Sequence, residues 1–325
     1  MVVPRLVVRA ALAWFVCAGC TGSATRVRAT IALLDGPDTV LFLGDSITWN
    51  GAYVADFEAC WRAAHPTAQA RCVQLGLPSE TVSGLSEGGH AGGAFPRPVL
   101  SERLERTLDA IQPQLVFACY GMNDGIYQPL DPARFAAFRA GIEALERACA
   151  THGARLVLLT PPMFDALPGG ANVTCPQYDE VLAAYSSWLV EHGAEVVDVH
   201  TAMRRLVAER RRSEPAFTVA PDGVHPDAVG HWWIARELLR HCGVEAAASA
   251  EGCAPFLAAS GAGAQLRPLV GERQQLLRDA WLTAVGHTRP GLPVGAPLVE
   301  AQQRAVELDA AAAQQAPASL QAPPR

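Results

Sequence analysis

Between residues 39 and 199, short apolar runs alternate with longer stretches in which apolar residues recur at helical spacing. The runs occupy 39–43, 72–75, 115–119, 155–160 and 195–199. The amphipathic stretches occupy 52–64, 100–111, 132–152 and 178–192, and one more at 227–242 closes the series. The runs are of strand length and the stretches of helix length. Such alternation predicts a parallel sheet covered by helices on both faces. Five strands predict an α/β, doubly wound, flavodoxin-like three-layer sandwich over residues 38–244, with ligands bound beyond the carboxyl ends of the strands.

The pattern changes on either side of this region. Residues 245–265, rich in Ala, Ser and Gly, read as a linker. "GERQQLLRDAWLTAVG" and "PLVEAQQRAVELDAA" then predict two amphipathic helices within a helical extension at 266–313. Leu276, Leu277, Trp281, Leu282 and Val285 form an apolar stripe that two short helices cannot bury between themselves, so the extension is expected to pack on the main domain. The Ala/Gln/Pro tail at 314–325 reads as disordered.

At the other end, Arg5 and Arg9 precede the apolar run 10–16, and small residues follow at Ala18 and Gly19. Residues 1–20 therefore read as an export segment, too short to cross a bilayer, which takes about 20 apolar residues. Residues 21–37 read as a linker. Cys20, after "VCAG", is similar to the lipid-modified cysteine of bacterial lipoproteins, although Cys17 stands where that motif prefers leucine. Membrane attachment through Cys20 and free export both remain open.

Composition narrows the chemistry. The net charge of −6 argues against non-specific nucleic-acid binding, which needs a basic surface. The chain contains no lysine, which removes Schiff-base, P-loop-lysine and pyridoxal chemistry. Beyond residue 20 there are seven cysteines, with no CxxC pair, so spacing gives no zinc site. In an oxidising compartment, Cys60 with Cys72 or Cys242 with Cys253 could form local disulfides. No cofactor is expected.

Three segments lie where such a sheet offers a ligand site. The run "LFLG" stops abruptly on Asp45 and Ser46; "GMND", holding Asn123, follows the 115–119 run; "PDGVHPD", holding Asp222 and His225, precedes the last helix. In isolation, Ser46 would be read as a helix cap. A histidine able to take its proton, with an aspartate three residues earlier to fix the tautomer, makes it a candidate nucleophile instead. Asn123 could donate to an oxyanion, an interaction worth about 3–4 kcal/mol. Asp45 and Asp124 are expected to hold loops through backbone hydrogen bonds, and His200 to be structural. His231 has no partner at metal-ligand spacing.

"GDSIT", "GMND" and "DGVH", in that order, resemble three of the four sequence blocks of the SGNH (GDSL-type) hydrolases. The resemblance covers residues 39–242. It implies that Ser46 is the nucleophile, His225 the base, Asp222 its orienting carboxylate and Asn123 an oxyanion donor, with the amide of Ser46 beside it. In the second block the family carries a glycine where this chain has Ser79, in "QLGLPSETVSG"; Ser79 and Gly84 are both candidates for that backbone donor. "SETVSGLSEGGHAGG…FPRP" resembles a planctomycete-type subgroup with a helical carboxyl extension. The implied activity is ester hydrolysis through an acyl-enzyme. Trp49, His90, Tyr120 and Met122 are candidates to line the pocket, where scarce aliphatic surface favours an acetyl group on a sugar. A lipase or thioesterase, or a catalytically silent carbohydrate-binding surface protein, are the alternatives.

Overall fold

The computed structural model describes residues 18–36, 38–165, 175–192 and 194–317. Residues 1–17 of the expected export segment at 1–20, and residues 318–325 of the expected tail, lie outside them. In chain order the elements are α1 (Ala18–Asp35), β1 (Thr39–Gly44), α2 (Ser46–Asn50), α3 (Ala52–Ala64), β2 (Arg71–Gly76), α4 (Leu104–Ile111), β3 (Leu115–Cys119) and α5 (Pro132–Thr151). There follow β4 (Arg155–Leu159), α6 (Tyr178–Glu191), β5 (Glu195–Val197), α7 (Val199–Arg210) and α8 (Ala228–His241). The carboxyl extension supplies α9 (Cys253–Ala259), α10 (Leu266–Val285) and α11 (Leu298–Ala313).

The five strands form one sheet in the order β2-β1-β3-β4-β5, and every pairing is parallel. Right-handed crossovers fix the layers. The chain moves one way from β1 to β2 and the other way through β3, β4 and β5, so α3 covers one face and α4, α5 and α6 the other. Phe42 and Phe117 show the packing on the α3 side: both rings meet Phe57, at 5.8 Å between centroids. The order reverses between β1 and β3. There the loops leaving the two strands diverge and open a crevice at their carboxyl ends.

Two segments that read as linkers are ordered structure. Residues 18–35 form α1, whose Thr30 and Leu34, one turn apart, are buried against the sheet. Thr30 donates to Glu195 at 2.9 Å, and Arg155 bridges Thr30, Glu195 and the Arg26 carbonyl. Cys20 falls in the first turns of this helix. Residues 245–265 hold a short 3₁₀ turn and α9, with Ala247, Phe256 and Leu257 buried. Their Ala-rich composition imitates a flexible linker, but small side chains also permit close packing. The tail is tethered at its start, where the Gln315 carbonyl accepts from the Gly263 amide at 2.7 Å.

The extension packs on the main domain. Helix α10 lies along the edge strand β2, where Arg273 donates to the Cys72 carbonyl at 3.2 Å and pairs with buried Glu58 at 2.5 Å. A helix laid there covers the row of backbone groups that an edge strand leaves unpaired. No helix among the described residues is long and apolar enough to cross a membrane.

Candidate active site

Strand β1 ends on Gly44 because nothing larger fits: a Cβ there would sit 2.1 Å from the Thr48 hydroxyl and 2.8 Å from the Cys119 carbonyl. Asp45 then caps α2, accepting from the Ile47 amide at 2.9 Å. This places Ser46 at the first position of the helix, at the carboxyl edge of the sheet. Asp45 is buried, and burial pushes its carboxyl up to about 7 against the opposing pull of the Ile47 amide and of His225.

The Ser46 hydroxyl lies 2.9 Å from His225 Nε2, and His225 Nδ1 lies 2.7 Å from Asp222 Oδ2. Asp222 Oδ1 accepts from the amides of Val224 and His225 at 2.9 and 2.7 Å, so one tight turn fixes both aspartate and ring. Burial works to raise the Asp222 carboxyl; the hydrogen bonds from His225 and Val224 outweigh it and hold it below the usual carboxylate range. A carboxylate on Nδ1 keeps the proton there and leaves Nε2 free to accept from Ser46.

Asn123 follows β3 on the other side of the crevice and is buried. Its Oδ1 accepts from Arg97 at 2.9 Å and from the Tyr127 hydroxyl at 3.2 Å, while its Nδ2 donates to the Glu80 carbonyl at 3.2 Å. Arg97 is itself clamped by both oxygens of Glu87. The amide is thus fixed in one orientation, with one N–H of Nδ2 left over. Asp124 accepts from the amides of Val82 and Ser83, each at 2.9 Å, and anchors the loop after β2.

Ser79 lies in that loop at φ 69°, a left-handed conformation that glycine adopts freely and serine rarely. Its neighbour Pro78 lines the cavity beside Ser46. Gly84, at φ 73°, is exposed and lines neither of the cavities described below.

Two cavities meet at His225. One, of about 300 Å³, is walled by Ser46, Trp49, Pro78, His231, Arg289 and Leu292. The other, of about 750 Å³, runs past Asp222, Glu87, Tyr127, Gln128 and Gln177. Of the expected pocket residues, Trp49 lines the smaller cavity with Arg278 stacked 4.3 Å above its ring. His90 lines neither, and instead packs edge-on against Phe95 beside Glu87. Tyr120 and Met122 are corrected: both are core residues. The Tyr120 hydroxyl donates to Glu80 at 2.7 Å, and the Met122 carbonyl accepts from Tyr178 at 2.8 Å. An aromatic next to a site motif looks like a pocket wall in the sequence, but just past the end of β3 packing turns these two inward.

His231 and His200 are also buried. His200 Nε2 lies 3.1 Å from Asp179. Burial pushes the His231 ring down to about 4, and it stacks on Tyr53. Among the described residues, no group of three or more His, Cys, Asp or Glu is arranged to hold a metal ion. The residues that sequence reasoning missed are Arg97, which sets Asn123, and Arg289 and Leu292, which the loop between α10 and α11 carries back over the site. Arg289 donates to the Pro78 carbonyl at 3.0 Å and stacks over Phe95. No local signal marks Arg289 and Leu292, which lie some 240 positions from Ser46 in the chain, or Arg97, 26 positions before the Asn123 it holds.

A doubly wound sheet with a serine–histidine–aspartate chain at its switch point has the architecture of a carboxylic ester hydrolase. The sequence model of the GDSL-like lipase/acylhydrolase family matches residues 42–233, and the chain belongs to that family. No curated protein matches it. Among solved structures it is similar to BT4096, described as a gut microbial diltiazem-metabolizing enzyme, with a TM-score of 0.52 and 21% identity; the match covers 63% of this chain and 47% of that one. It is also similar to Axe2, described as an acetylxylan esterase from Geobacillus stearothermophilus, with a TM-score of 0.49 and 22% identity over 65% of this chain and 96% of that one.

Proposed function

We propose that the protein is an exported serine esterase that removes small acyl groups, above all acetyl, from carbohydrates. The observation that carries this reading is the 2.9 Å contact between Ser46 Oγ and His225 Nε2, backed by Asp222 on the far nitrogen. Ser46 attacks the ester carbonyl while His225 takes its proton. The oxyanion is held by the spare N–H of Asn123 and by backbone amides, with those of Ser46 and Ser79 as the donors. His225 then protonates the leaving alkoxide, and a water activated by the same ring hydrolyses the acyl-enzyme. Asp222 orients the ring and stabilises its charged form.

The two cavities support the substrate class. The smaller, beside Ser46, suits a short acyl group. The larger sets Glu87, Gln128, Gln177 and the Tyr127 ring among Ile126, Pro129, Pro176 and Val224, the mixture of polar groups and short apolar faces that a sugar ring presents. A long acyl chain would need extended apolar surface, at about 25 cal/mol per Å² buried. Chromogenic esters of increasing chain length test this: acetate should give the highest kcat/KM, and a maximum at eight carbons or beyond, about the length of a medium-chain lipid, would move the protein to the lipases or thioesterases. Ser46→Ala should abolish hydrolysis and fluorophosphonate labelling with the melting curve unchanged. A folded wild type that resists labelling would favour a silent binding protein.

A further inference from the structure

Cys60 lies on the buried face of α3, and Cys253 opens α9 in the carboxyl extension. Their Sγ atoms are 3.6 Å apart, the contact distance of two thiols. Among the described residues, this is the one pair of cysteines within such reach. The pairings suggested by closeness in sequence, Cys60 with Cys72 and Cys242 with Cys253, are not those the fold assembles. Cys72 sits in the edge strand under α10, and Cys242 caps α8.

The two sulfurs differ in access. Cys60 is fully buried, whereas Cys253 is half-exposed and lines a cavity of about 860 Å³ with Trp232, Pro255, Leu257, Ala258 and Arg267. A cavity of that volume admits a small organic reagent. The contact with Cys253, together with burial, pushes the Cys60 thiol up.

We propose that Cys60 and Cys253 are a redox pair that closes to an intramolecular disulfide when the protein meets a small-molecule disulfide such as oxidised glutathione. Cys253, as thiolate, attacks one sulfur of the reagent; that S–S bond breaks, one glutathione thiolate leaves, and a mixed disulfide remains on Cys253. Cys60 then gives up its proton and attacks Cys253 Sγ, and the second glutathione leaves. Two protein thiols are oxidised, one small disulfide is reduced to two thiols, and the two protons end on those thiols. Closure draws the sulfurs together by about 1.5 Å, to the bond length of about 2.05 Å. The movement falls on α9, a seven-residue helix at the surface. The product ties the extension that carries Arg289 to the helix that follows Ser46. This inference is independent of the esterase reading.

The experiment uses the full chain, reduced, then exposed to oxidised glutathione, quenched by alkylation, unfolded and mapped by peptide mass spectrometry. A cross-linked Cys60–Cys253 peptide is expected, with the other cysteines alkylated only after unfolding. Closing so long a loop should raise the Tm by about 5 °C in the oxidised protein. Cys253→Ser, at a half-exposed position, should fold and show no change with oxidant. A glutathione that stays on Cys253, a link between Cys60 and Cys72 or between Cys242 and Cys253, or thiols all still free after oxidation would each overturn the proposal.

Discussion

At the scale of single residues, Asn123 illustrates how neighbours turn a side chain into a directed donor. Arg97 and Tyr127 occupy its oxygen, so the nitrogen must face the other way. Asn123→Ala should lower kcat by about two to three orders of magnitude with little change in KM, because that hydrogen bond strengthens mainly in the transition state. A pure KM effect would make Asn123 a ground-state contact. Ser79 offers a complementary case. If only its backbone matters, Ser79→Gly should keep full kcat and hold or raise the Tm, since glycine adopts φ 69° without strain. A large loss of kcat would mean that the hydroxyl itself takes part.

Asp45 carries a pH signature. Burial raises its carboxyl to about 7 in the folded protein, while in the unfolded chain it titrates near the ordinary carboxylate value of 3.8. Between those values the folded state binds more protons than the unfolded one, so its contribution to stability falls as pH rises through that window. Asp45→Asn keeps an acceptor for the Ile47 amide and removes the ionisation. In thermal melts it should exceed the wild type by about 2–4 °C above pH 7, and the advantage should vanish near pH 4. An advantage unchanged by pH would point to packing instead of charge.

At the scale of elements, the site depends on a loop outside the family-matched region. The connection between α10 and α11 brings Arg289 and Leu292 to the wall of the smaller cavity, and the Arg289 hydrogen bond to Pro78 steadies the loop that carries Ser79. Arg289→Ala should lower kcat/KM by about tenfold, the equivalent of roughly 1.4 kcal/mol, with Ser46 still labelled by a fluorophosphonate. Unchanged kinetics on a saccharide ester would show that substrate does not reach this wall. Helix α1 is the parallel case at the other end of the chain. Its Thr30 and Arg26 contacts with Arg155 join it to the sheet, a role that its irregular apolar spacing does not announce.

At the scale of the whole molecule, the extension and the main domain share buried charge. Glu58 is buried, and its carboxylate is satisfied by Arg273 and Gln274 of α10, with Arg62 completing a bridge to Asp309 of α11. A chain ending near residue 261 would lose α10 and α11, expose the faces of α3 and β2 that they cover, and leave Glu58 only Arg62 of its own helix. Such a truncation should lower the Tm by about 10 °C or more, or leave the protein insoluble. An unaltered melting curve would make the extension an independent module.

The order of strands and helices from 39 to 242 was legible because a doubly wound domain writes its buried strands as apolar runs and its helices as amphipathic stretches. Ser46, Asn123, Asp222 and His225 were legible because each sits in a short motif that fixes its backbone locally. The sequence could not tell that Tyr120 and Met122 point inward, since which side a residue faces just past a strand end is set by packing. Nor could it separate the Ala-rich α9 from a linker, because small residues serve both. What joins Arg97 to Asn123, Arg289 to Pro78 and Cys60 to Cys253 is contact between chain segments far apart in sequence. Only the tertiary structure decides such contacts, because they arise where elements pack and not where residues follow one another.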